Sequence, residues 1–122
     1  MDNQQQQEFE QQIAPFFWVE HDSSVSLCMS DVGDYKMDIF NSRAEEGFMG
    51  NGYDWGSLAT VFIEEKHPEW QEVINFDPEA GMFCVYTDIE NKAVLKEFAL
   101  AFKRTLDNNE VILDLFSRAE LD

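Results

Sequence analysis

Positive charge is what this chain has least of. Only 8 of its 122 residues are Lys or Arg, against 25 Asp and Glu, for a formal net charge of −17. Binding DNA, RNA or an anionic membrane depends on Lys and Arg displacing counterions, so this charge excludes nucleic acid and membrane surfaces as partners. It favours a basic protein partner and speeds the encounter with one. Its plainer consequence is solubility.

Histidine and cysteine are nearly absent. His21 and His67 stand at no ligand spacing from Cys28 or Cys84, which leaves no zinc site. Asp31, Asp34 and Asp38 lack the Asp-x-Asp-x-Asp-Gly order of a calcium loop. Gly47, Gly50 and Gly52 have no Gly-Lys-Ser/Thr ending to cradle a phosphate. Ser57, within Trp55-Gly56-Ser57-Leu58-Ala59, lacks the second glycine of a nucleophile elbow. Glu45-Glu46 and Glu64-Glu65 read as solvated carboxylates in a chain this acidic. Neither an enzyme nor a cofactor is expected. Long hydrophobic runs are missing too, none reaching the ~18 residues that span a bilayer. Met1–Gln12 has neither the basic nor the apolar segment of a signal peptide, so the expected location is the cytoplasm. Cys28 and Cys84 are accordingly expected as free thiols that pack as small hydrophobes.

Apolar side chains, by contrast, are plentiful: 44% of the chain is hydrophobic, including 11 Phe and 3 Trp. A fully buried Phe stabilises by roughly 1.5–3 kcal/mol, so a substantial core is within reach despite the charge. Residues 1–13 read as a Gln-rich arm or a short helix ended by Pro15, and residues 14–122 as one domain. Strands are expected over Phe16–Glu20 and over Val25–Met29, where Val25, Leu27 and Met29 alternate with polar or small residues. Met37 and Ile39 suggest a third strand of a meander. Val73–Phe76 and Met82–Thr87 suggest a hairpin around Asp77-Pro78-Glu79-Ala80-Gly81. Trp55, Leu58, Ala59 and Phe62 recur at helical spacing, with Asp54 as the expected N-cap. Pro68 suits the first position of a short helix. Leu95, Phe98, Ala99, Phe102 and Leu106 mark a long amphipathic helix, and Val111, Ile112, Leu115, Phe116 and Ala119 a last one. The expected fold class is α+β: an antiparallel sheet, made of a three-strand meander plus a hairpin, with helices packed mainly on one face.

The expected functional surface lies around the glycine loop. Phe48, Tyr53 and Trp55 supply aromatic anchors beside Glu45, Glu46 and Asp54, a combination suited to a basic protein partner. The competing reading puts Trp55 and Tyr53 in the core at a helix start. Two other roles compete with binding of a basic protein partner: self-association as a homodimer through Val111–Ala119, and small-ligand binding between the glycine loop and the sheet.

The segment Glu46-Gly47-Phe48-Met49-Gly50-Asn51-Gly52-Tyr53-Asp54-Trp55-Gly56-Ser57-Leu58-Ala59 resembles the central signature of immunity protein 51, a family of bacterial polymorphic toxin systems. Phe76–Cys84 is similar to its second signature, and Leu115–Asp122 to its C-terminal end. The resemblance covers roughly Phe16 to Asp122 and leaves the Gln-rich segment outside. It implies a small, cytoplasmic, non-enzymatic protein that binds a cognate toxin domain and protects the cell that makes it.

Overall fold

The structure, a computed structural model, describes residues 3–30 and 32–120. Asp31 of the acidic loop and the final Leu121-Asp122 of the C-terminal signature lie outside the described residues. The Gln-rich segment is a helix, α1 (Asn3–Ile13). Its Phe9 and Ile13 are buried, Phe9 meeting Trp18 edge to face at 5.2 Å. Two apolar residues four positions apart therefore anchor a segment that is otherwise polar.

Strands β1 (Phe17–Glu20) and β2 (Ser24–Met29) form a hairpin. Helix α2 (Met37–Asn41) and helix α3 (Gly52–Lys66) follow. A second hairpin joins β3 (Asn75–Phe76) to β4 (Phe83–Asp88). Helices α4 (Lys92–Leu106) and α5 (Asn109–Phe116) complete the chain. The four strands form one antiparallel sheet in the order β1-β2-β4-β3. The fold class is α+β, as expected.

One expected strand is absent. Met37 and Ile39 belong to α2, not to a meander. The edge of β2 that a third strand would have used is taken by β4, which pairs with it over six residues. Lys36 enters α2 in a left-handed conformation, at φ 54°, and the adjacent Ile39 and Phe40 are both buried. Neighbouring residues can share one buried side in a helix but not in a strand.

The sheet's alternation separates an inner face from an outer one. Trp18, Val25, Leu27, Met29, Phe83 and Val85 are buried on the inner face, against which α1, α3 and α4 pack. Phe17 and Tyr86 on the outer face remain 41% and 39% exposed. The stripe Leu95, Phe98, Ala99, Phe102 and Leu106 is wholly buried beneath α4. The apolar side of α5 is also used internally: Ile112, Leu115 and Phe116 are at most 1% exposed. That leaves Leu113 as the exposed large apolar side chain of the proposed dimer segment.

Candidate partner-binding groove

The glycine loop is held by the start of α3. Asn51, not Asp54, is the N-cap, its side chain accepting a hydrogen bond from the Asp54 N–H at 2.9 Å. Asp54 answers as the third residue of a capping box. Its carboxylate accepts from the N–H groups of Met49 at 2.7 Å and Gly50 at 2.8 Å, and more weakly from Asn51 at 3.4 Å. These donors point at a side chain that is only 3% exposed. The positive end of the helix adds to the favourable field.

The six residues expected at a partner surface divide into two sets. Phe48, Asp54 and Trp55 are inside, at 3%, 3% and 0% exposure. Trp55 stacks on Tyr35 at 5.8 Å and touches Phe40 at 5.1 Å, in the middle of the core. Phe48 lies 4.8 Å from the Phe116 ring, with the Arg43 guanidinium 4.6 Å from its own. Glu45, Glu46 and Tyr53 are exposed. The Glu46 charge is compensated by two hydrogen bonds from Arg43, at 2.7 and 2.8 Å. This pairing holds the Glu46 carboxyl below the usual carboxylate range.

The three signature segments meet in space. The Gly52 N–H donates to the Ala80 carbonyl at 3.1 Å, docking the head of α3 on the β3–β4 turn. A Cβ at Gly52 would stand 1.8 Å from the Glu79 carbonyl oxygen and 2.4 Å from that of Met82. Backbone occupies the place of the side chain, so glycine is required by close approach. The third segment is tied in by Phe116 against Phe48 and by Arg43, which donates to the Ala119 carbonyl at 2.7 Å.

Beside this joint runs a groove of about 470 Å³, lined by the outward side of α3, the β3–β4 hairpin and the C-terminal segment. Tyr53, Ser57, Thr60 and Glu64 line one wall, one above another at helical spacing. Phe76 and Pro78 form another, and Arg118 and Glu120 close it. Arg118 is engaged by Glu65 at 2.6 and 2.7 Å and by Asp114 at 2.9 Å. Its charge is spent on those two carboxylates, and Glu64 and Glu120 set the sign of the groove as negative. The hydroxyls of Ser57 and Thr60 donate to helix carbonyls, those of Tyr53 and Gly56 at 3.3 and 2.8 Å.

Of the expected site residues, Tyr53 alone lines this groove. Ser57, Thr60 and Glu64 are not among the residues expected at the surface, although their helical spacing could have marked them as a polar stripe. Arg118 and Glu120 carry no such signal, because only the tertiary fold brings them to α3. Among the described residues, no group of three or more His, Cys, Asp or Glu is arranged to hold a metal ion. No helix among them is long and apolar enough to cross a membrane.

No curated protein and no solved structure matches the chain. A family model described as Immunity protein 51 matches residues 16–121. The match takes in all four strands, the joint and the groove, with α1 preceding it, and the chain belongs to the immunity protein 51 family.

Proposed function

We propose that this protein binds and neutralises a cognate polymorphic-toxin domain in the bacterial cytoplasm, without catalysis of its own. Its binding surface is the groove, with Tyr53 on its rim, together with the exposed Glu45 and Glu46 that precede the glycine loop. Phe48, Asp54 and Trp55 serve that surface from beneath by fixing the loop. The observation that carries this reading is the state of Tyr53. It is 42% exposed on the rim of a groove whose Arg118 is already neutralised. A half-exposed tyrosine offers a large rigid contact at low entropic cost. Glu64 and Glu120, which have no ion-pair partner among the described residues, steer a basic surface toward it.

The test is titration of the purified protein with the toxin domain encoded beside it, at two salt concentrations. The expected result is one-to-one binding, with an association rate that falls as salt rises. Charge reversal at Glu64 and Glu120 together should slow association severalfold at low salt and matter less at high salt. Full affinity and unchanged salt dependence in E64K/E120K would place the toxin elsewhere on the fold. Failure to bind or protect against that toxin would remove the neutralisation reading altogether.

A further inference from the structure

Cys28 and Cys84 face each other across the two central strands. The register of β2 and β4 makes them direct partners, and they fall on the outer, solvent-side face of the sheet. Both are free thiols, with sulfur atoms 3.2 Å apart. We propose that this pair is a redox site that closes to an intramolecular cross-strand disulfide by exchange with a low-molecular-weight disulfide, Cys84 reacting first and Cys28 resolving.

The backbone is ready for the bond. Directly opposed residues of an antiparallel pair have Cα atoms about 4.5–5.5 Å apart, inside the roughly 4.4–6.8 Å range that disulfides span. The ladder holds this spacing from both sides, through Leu27 opposite Val85 and Met29 opposite Phe83. All four of those side chains are fully buried. Closure therefore needs rotation of two side chains and no movement of strands.

The two thiols differ in the way sequential exchange requires. Cys28 is 6% exposed, whereas Cys84 is half-buried and open to a small reagent. With the Cys28 S–H as donor, the hydrogen bond between them stabilises the Cys84 thiolate and lowers its pKa from the ordinary thiol value. The same bond, together with burial, raises that of Cys28. Asp77 and Glu79 lie close enough to Cys84 to oppose its ionisation. They also repel anionic reagents.

In the first step the Cys84 thiolate attacks one sulfur of the reagent disulfide. The reagent's S–S bond breaks, and one thiolate leaves with the electron pair. In the second step Cys28, deprotonated by solvent, attacks the Cys84 sulfur of the mixed disulfide and expels the other thiolate. Two protein thiols are oxidised, one reagent disulfide is reduced, and the two released protons end on the two reagent thiols.

The experiment treats the native full-length chain with cystamine, hydroxyethyl disulfide or glutathione disulfide and reads intact mass, free thiols and a non-reducing peptide map. The expected product has lost two hydrogens, carries no adduct, has no free thiol and links Cys28 to Cys84. C28S should stop at a mixed disulfide on Cys84. C84S should react at least about tenfold more slowly, because its remaining thiol is buried and keeps its proton. Cationic cystamine should outpace anionic glutathione disulfide at low salt, with the gap closing as salt rises. The oxidised chain should melt roughly 10 °C higher than the reduced one, since the bond closes a long loop. A stable mixed disulfide in the unmutated chain, disulfide-linked dimers, or thiols that react only after denaturation would each overturn the proposal. The linkage map of the unmutated chain decides the matter if either serine variant fails to fold.

Discussion

The two sides of α3 are built to opposite specifications. Its inward side carries Asp54 and Trp55, at most 3% exposed, one enclosed by backbone donors and the other by aromatic rings. Its outward side carries Tyr53, Ser57, Thr60 and Glu64, which line an open groove. Tyr53, Asp54 and Trp55 are consecutive, yet one faces the groove and two face the fold. The glycine signature is thus mainly a record of how the chain holds itself together: Gly52 meets the hairpin, Phe48 meets Phe116 and Asp54 closes the loop. The groove beside it draws most of its lining from outside that segment.

The comparison breaks most directly at Gly52. G52A forces a Cβ onto two backbone carbonyls, and we expect a loss of about 3 kcal/mol or more, read by chemical denaturation. A loss below about 1 kcal/mol would mean that the joint yields and is no joint. D54A should cost about 2–3 kcal/mol, because it removes the reciprocal half of the capping box and leaves the Met49 and Gly50 N–H groups without their acceptor. Affinity per folded molecule should change little, and a large drop in it would move Asp54 from the fold to the interface. Y53A should show the reverse pattern. Its stability should stay within about 1 kcal/mol of the parent, while toxin binding weakens by about 2 kcal/mol, roughly thirtyfold.

The smallest effect concerns pH. Arg118 lowers the pKa values of Glu65 and Asp114 by hydrogen bonding to their charged forms. A carboxylate with a depressed folded pKa contributes stability above its unfolded pKa and loses it as pH falls through the folded value. R118Q should therefore lower the plateau of the stability curve at neutral pH and converge with the parent in acid, which flattens the limb below about pH 4.5. An unchanged acid limb would show that these exposed pairs contribute nothing measurable.

Most of the regular structure was legible in the sequence because it is locally encoded. The α4 stripe repeats at helical spacing, and all five of its expected residues are buried. The β3–β4 hairpin announces itself through Pro78 and Gly81. The strand expected at Met37–Ile39 shows where local reading stops. Two alternating apolar residues fit a strand or a helical turn, and the choice fell to β4, whose sequence lies more than forty residues further on. The cap was misplaced by one helical turn, on Asp54, because a capping box uses both its ends and either side chain fits the role. Of the residues expected at the surface, Tyr53 lines the groove, and the sequence marks it as an aromatic beside glycine and carboxylate. The groove itself is not marked there, since Arg118 meets Glu65 across 53 positions of chain. Phe48 and Trp55 looked like partner anchors because an aromatic residue beside glycine and carboxylate reads the same whether it closes a core or opens an interface.

The insertion of β4 beside β2 has a consequence for synthesis. A chain emerging from the ribosome completes β2 early and then carries its unpaired edge until residues 83–88 arrive. Until then the head of α3 also lacks its seat on the hairpin, and the far wall of the groove does not exist. Folding must wait for distant segments, which slows it relative to a bundle of local contacts. A nascent or truncated chain ending before Phe83 therefore has neither the groove nor the seat for the head of α3.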